Sequence, residues 1–197
     1  RGDQAGVALG LLEARLVPPA DHEVAALRHD DGDDQHPQGQ QQAHAEHGDG
    51  ELALLVNNAG LGCAGAFVEQ DWTREREQLE VNVLALTRLC HALGLRMAEH
   101  GGGQILNVAS VAAFQPGPWM SSYCASKAYV LHFSEGLREE LKGRGVRVSV
   151  LCPGPTHSAF FRSARMDVTR LSAGKLMMSA EEVALITVRA LEKNRAL

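Results

Sequence analysis

Long apolar runs are missing from this 197-residue chain, and so is any ordered use of cysteine. No stretch nears the roughly 18 consecutive apolar residues that cross a bilayer, and no charged start followed by an apolar core marks a secretory signal. A cytoplasmic protein with no membrane partner is the resulting expectation. Four cysteines, Cys63, Cys90, Cys124 and Cys152, form no C-x-x-C and have no histidine at metal spacing. They read as small buried hydrophobes in a reducing compartment. The formal net charge of −5 argues against nucleic acid as a partner. What remains is a chain 45% apolar, of a length that suits one domain.

Scarcity is sharpest at the start. Residues 1–50 contain no Ser, Thr, Asn, Lys, Ile, Phe, Tyr, Trp, Cys or Met. They hold 3 Arg against 10 Asp or Glu, a net of −7, so residues 51–197 carry +2. A segment with no aromatic and no β-branched residue but Val has little with which to build a sheet or a core. A helix fits residues 8–17, with Leu9, Leu12 and Leu16 on one stripe and Pro18-Pro19 ending it. Residues 28–50 are mostly Asp, Gln, His and Gly and read as disordered. The histidines His22, His29, His36, His44 and His47 match no closed metal site, so no metal is expected. Residues 1–50 are therefore expected to be an atypical segment, disordered or not native to the rest, as a wrong reading frame or gene start would produce. Residues 51–197 are expected to form the domain.

From Leu52 the pattern becomes regular. L-A-L-L-V is the continuous apolar run of a strand buried on both faces, and Asn57-Asn58-Ala59-Gly60 ends it, with Asn57 expected to brace the sheet. Residues 71–100 suit a long helix, whose apolar positions Leu79, Val83, Leu86, Cys90, Leu93 and Met97 fall at steps of 4, 3, 4, 3 and 4. Gly101-Gly102-Gly103 stops it and a strand at residues 105–109 follows. A second helix over residues 121–142 carries Val130, Phe133, Leu137 and Leu141 on one stripe, with small Ala125 and Ala128 where close packing is expected. Val146, Val148 and Val150 alternate toward Pro153-Gly154, making helix and strand a right-handed crossover unit. A last helix begins at S-A-E-E, where Ser179 caps and Glu182 reaches back.

Chemistry concentrates between Asn107 and Lys127. A strand ends in Ser110, a loop with two prolines follows, and a helix opens with Tyr123 and Lys127 one turn apart. Positions i and i+4 share a face, so phenol and ammonium can reach one bound molecule. A phenol of pKa about 10 is a poor acid or base at neutral pH unless its phenolate is stabilised, and a nearby ammonium and the positive end of a helix would do that. With two Tyr and four Lys in the chain, a chance Tyr-x-x-x-Lys is expected about 0.04 times. Asn82, Asn58, Gly60, Pro153 and Gly154 would join Ser110 at one edge of a parallel sheet, where open α/β folds hold ligands.

N-N-A-G at 57–60, Asn82, Ser110, Y-C-A-S-K at 123–127 and C-P-G-P-T at 152–156 together resemble the short-chain dehydrogenase/reductase family, over about residues 51–195. The resemblance implies a Rossmann-like α/β fold, a parallel sheet with flanking helices, incomplete here at both ends. It implies hydride transfer between NADP(H) or NAD(H), the former slightly favoured, and a carbonyl or alcohol substrate. Tyr123 would give or take the oxygen's proton, Lys127 would lower its pKa and hold the nicotinamide ribose, Ser110 would bind the substrate oxygen, and Asn82 would hold a water for proton relay. Asn58, Gly60, Pro153, Gly154 and Thr156 would line the cofactor cleft, Thr156 at the nicotinamide amide.

The family's glycine-rich phosphate turn, T-G-x-x-x-G-x-G, is not found. Gly6 and Gly10 lack a preceding strand and a third glycine. A non-catalytic fragment, with residues 52–56 as a bare apolar sheet edge, is therefore the competing reading. An isomerase or dehydratase of the same superfamily is a third. Phe114, Trp119, Met120, Phe160 and Phe161 suggest an apolar pocket for a ketone or acyl compound, Phe160, Phe161 and Met166 belong to a segment that covers substrate in the family, and the two long helices resemble those that pair in family dimers or tetramers.

Overall fold

The computed structural model describes residues 22–27, 51–157, 160–164 and 177–197. The expected helix at 8–17, residues 28–50 and Met166 lie outside them. Four strands, β1 (His22–Leu27), β2 (Glu51–Asn57), β3 (Gly103–Val108) and β4 (Val146–Leu151), form one sheet in the order β1-β2-β3-β4. Every pairing is parallel. The helices are α1 (Trp72–Leu79), α2 (Leu86–Glu99), α3 (Ser121–Lys142), α4 (Phe160–Ser163) and α5 (Ala180–Glu192).

The apolar run of β2 is covered on both sides, as its lack of alternation predicts. Leu52 and Leu55 join Ile105, Val130, Val146, Val148 and Val150 against α2 and α3. Leu54, Val56 and Leu106 pack on Ala184, Val188 and Leu191 of α5. Ser179 and Glu182 form the expected capping box at the start of α5. Asn57 does brace the sheet: its Nδ2 donates to Asn107 Oδ1 at 2.8 Å, and Asn107 Nδ2 donates to Ser134 Oγ of α3 at 2.9 Å.

Three expectations are corrected. The edge of β2 is not bare, because β1, inside the segment judged too poor to build a sheet, pairs along it from His22 to Leu27. Parallel pairing needs only backbone N–H and C=O groups, which H-E-V-A-A-L carries in full. The long helix is interrupted by a π turn at Glu80–Ala85. Its wider turn shifts the buried face, so Glu75, Gln78 and Asn82 are buried ahead of Leu86, Cys90 and Met97, while Leu79 and Val83 are only half-buried. On α3 the buried face runs through Tyr123, Cys124, Ser126, Lys127, Val130, Leu131 and Ser134, and Ala125 is exposed.

Gly101 and Gly102 end α2 with φ of 98° and 119°, and Gly102 N–H closes back on Met97 O at 2.8 Å. That bond is the outer link of a Schellman cap, which favours residues free to take positive φ.

Candidate active site

The carboxyl ends of β3 and β4 are held together beyond the strands. Ala109 N–H donates to Leu151 O at 2.7 Å and Val111 N–H to Pro153 O at 3.0 Å, which brings Ser110 beside the Cys152–Pro153 turn. Ser110 Oγ accepts from Ala112 N–H at 3.1 Å, capping the short 3₁₀ turn at Val111–Phe114. The same hydroxyl faces the Tyr123 phenol, whose ionised form it favours. It is thus both the local cap and a group of the cleft.

Tyr123 and Lys127 lie on the buried face of α3, 7% and 5% exposed. Lys127 Nζ donates to Val108 O at 2.9 Å and stands 6.0 Å from the centre of the Tyr123 ring. Burial pushes the lysine down from 10.5 to about 8, with Cys152 acting weakly the other way. Burial also pushes the phenol up, and the Ser110 side chain opposes it. Lys127 is not among the groups that move the phenol at this separation; loss of water dominates, and Ser110 is the group that favours phenolate.

Gly60 lies against the same lysine. A Cβ built on it would stand 3.2 Å from Lys127 Nζ and 3.5 Å from Asn82 Oδ1, so the cleft wall here has no room for a side chain. Asn82, 1% exposed, accepts from Leu61 N–H and donates to Leu61 O, both at 2.9 Å, and donates to Ser126 Oγ at 3.0 Å. Asn58 is exposed at the end of β2, and Pro153, Gly154 and Thr156 are half-buried after β4. Thr156 Oγ1 turns back to donate to Gly154 O at 3.0 Å. Among the described residues, a Cβ on Gly154 would meet nothing within 4 Å.

Of the expected apolar lining, Phe160 packs on the Tyr123 ring, with centroids 5.2 Å apart, and Phe161 meets Phe160 edge-on at 5.7 Å. Phe114 and Trp119 are exposed instead, at 58% and 68%. Ser126, Gln78, Glu75 and Ser122 were not singled out from the sequence. The polar residues 75, 78 and 82 recur at steps of 3 and 4, a stripe masked by the apolar one beside it. Among the described residues no group of His, Cys, Asp or Glu could hold a metal ion, and no helix is long and apolar enough to cross a membrane.

Comparison with known proteins gives a consistent result. The sequence model described as short chain dehydrogenase matches residues 21–169, starting some way before the motif-bearing stretch and taking in β1. A Mycobacterium tuberculosis protein named "Probable oxidoreductase EphD" is 43% identical over 111 residues, 56% of this chain and 18% of that protein. The ketoacyl reductase HetN of a Nostoc species is 35% identical over 146 residues, covering 73% of this chain and 49% of its own. The chain thus spans about half or less of the length of these relatives. Among solved structures, a short-chain dehydrogenase from Sphingobium yanoikuyae in complex with NADPH superposes with a TM-score of 0.68 at 33% identity, over 73% of this chain and 55% of that one.

Proposed function

We propose, because this chain belongs to the short-chain dehydrogenase family, that it is an NAD(P)-dependent oxidoreductase moving a hydride between a nicotinamide and a carbonyl or alcohol carbon. The observation that carries this reading is the placing of Tyr123 and Lys127 on one buried face of α3, with Ser110 beside the phenol and Lys127 Nζ bonded to Val108 O at the end of β3. The residues fit the nicotinamide end of such a cofactor: Gly60 leaves backbone close to Lys127, and among the described residues nothing lies within 4 Å of where a Cβ on Gly154 would stand. Asn58, Gly60, Pro153, Gly154 and Thr156 would line it, together with Tyr123 and Lys127. When bound, the nicotinamide gives or accepts the hydride.

The chain's own residues do the rest. Tyr123 gives or takes the proton at the substrate oxygen, and Ser110 hydrogen-bonds that oxygen beside it. Lys127 donates one of its three N–H groups to Val108 O, which leaves two for a ribose and for the phenol. Asn82 anchors the π turn to Leu61 and Ser126, in position to support a water that carries protons toward Lys127. Phe160 on Tyr123 favours an apolar ketone or acyl substrate. NADP(H) is the favoured cofactor, as in the Sphingobium relative, although other solved relatives are described with NAD. Four free thiols suit a cytoplasmic site of action. Exposed Leu84 and Tyr129 beside α2 and on α3 suit pairing into a homodimer or tetramer.

Titrating NADPH and NADH against the purified chain, with nicotinamide fluorescence as readout, tests the reading. Saturable binding supports it, and no binding up to millimolar concentration refutes it. Tyr123→Phe should then abolish turnover while leaving binding intact; a variant that kept its rate would remove the proposed acid.

A further inference from the structure

We propose that Glu75, Gln78 and Ser122 form a clamp that positions the Tyr123 phenol. Ser122 Oγ donates to Glu75 Oε2 and accepts from Gln78 Nε2 at 2.9 Å, and Gln78 Oε1 accepts from Cys63 N–H at 2.7 Å. Glu75 and Gln78 are 3% and 0% exposed. The chain of bonds runs from the loop after β2, through the buried face of α1, to the first turn of α3.

A second clamp of the same design lies one turn further along. Asn82 joins Leu61 of that loop to Ser126 of α3. Gln78 and Asn82 are four residues apart on one helical run, Ser122 and Ser126 four apart on the other, so two rungs cross the gap in register. Tyr123 directly follows the first rung, and Lys127 the second. Each group of the proposed acid–base pair therefore has a polar anchor on the preceding residue.

The first rung matters because it lies ahead of the other polar fastenings of α3, in a first turn whose N-cap, Met120, makes no side-chain capping bond. Burying a carboxylate and an amide is costly, so apolar residues would fill this space at lower free energy. Their directional bonds add a fixed geometry that apolar packing does not give. Among the described buried side-chain N and O atoms, only Asn57 Oδ1 lacks a partner, so no buried atom of this network is left without one. A carboxylate beside the amino end of a helix is favoured by the helix dipole as well.

The inference takes its catalytic meaning from the proposed function, but its test does not depend on turnover. The chain has two tyrosines. In the full chain carrying Tyr129→Phe and grown with 3-fluorotyrosine, one fluorine resonance reports Tyr123. Ser122→Ala, and separately Gln78→Leu, should move that resonance toward the free amino-acid position and broaden it. Ser122→Thr, which keeps the hydroxyl, should restore it. Ser121→Ala, an exposed change in the same turn, should leave it alone. Turnover by Ser122→Ala should fall about tenfold at unchanged NADPH affinity, the signature of a misplaced group rather than a weakened fold. An unmoved resonance in both folded variants overturns the inference, as does an equal shift in Ser121→Ala. If the parent binds no nicotinamide, the proposed function fails while the fluorine result still decides the clamp.

Discussion

Lys127 is held against its ordinary chemistry, and that has a measurable cost. Its pKa falls from 10.5 to about 8 because the ammonium is buried. The folded state thus binds the proton less tightly than the unfolded state does. Below about pH 8 both states are protonated and the fold bears the whole penalty, about 3 kcal/mol for a shift of this size at 1.36 kcal/mol per unit. As pH rises from about 8 toward 10.5 the folded lysine has lost its proton while the unfolded one still holds its own, so stability rises with pH and the penalty fades. Lys127→Met keeps the stem and removes the titration, at the loss of the bond to Val108 O. Relative to the parent it should be favoured most at pH 7, and that advantage should shrink by about 2 kcal/mol by about pH 9.5. Urea unfolding of both proteins at the two pH values measures this. Titrating groups that Lys127 does not touch, Cys90 among them, are common to both proteins and cancel in the difference; Cys152, whose thiolate the ammonium favours, does not cancel and makes a smaller contribution. A stability difference independent of pH would refute the claim that the buried lysine is destabilising while charged. The variant should also lose turnover, so stability would be gained where function is lost.

Other perturbations test the surroundings. Gly60→Ala places a methyl 3.2 Å from Lys127 Nζ, which Val108 O restrains, so the ammonium must shift and turnover should drop about tenfold with little change in melting temperature. Asn107→Ala leaves Asn57 and Ser134 without their shared partner inside the core and should cost about 2–4 kcal/mol in chemical denaturation; a loss below about 0.5 kcal/mol would mean that the network is not a fastening. Gly102→Ala meets both a φ of 119° and the Gly145 carbonyl oxygen at 2.4 Å from the added Cβ, so it should destabilise by at least about 1–2 kcal/mol, whereas Gly136→Ala, in open helix, should stabilise.

Much of the site was legible because its residues mark element ends. Strand ends are announced by Asn, Gly and Pro, and the helix carrying Tyr123 and Lys127 was bounded correctly at 121–142 by its apolar period. Tyr123 and Lys127 lie on one buried face of α3, and Ser110 faces the phenol. The buried polar stripe Glu75, Gln78 and Asn82 was not legible, since hydrophobic period assigns the inward face to leucines and a π turn leaves no compositional sign. Nor was β1, whose pairing uses backbone groups common to almost any sequence.

The sequence by itself marked the strands and helices from Leu52 onward, because period and punctuation are local properties read residue by residue, and its motifs carried the family resemblance that implied the parallel sheet and the residues at the strand ends. Only the tertiary structure decided the charge chemistry and the clamps. A pKa depends on how much water a group loses and on what stands within a few ångströms, and Lys127 at about 8 is a consequence of burial by residues distant in the chain. Likewise Gln78 and Ser122 lie 44 residues apart, and no local pattern encodes their bond.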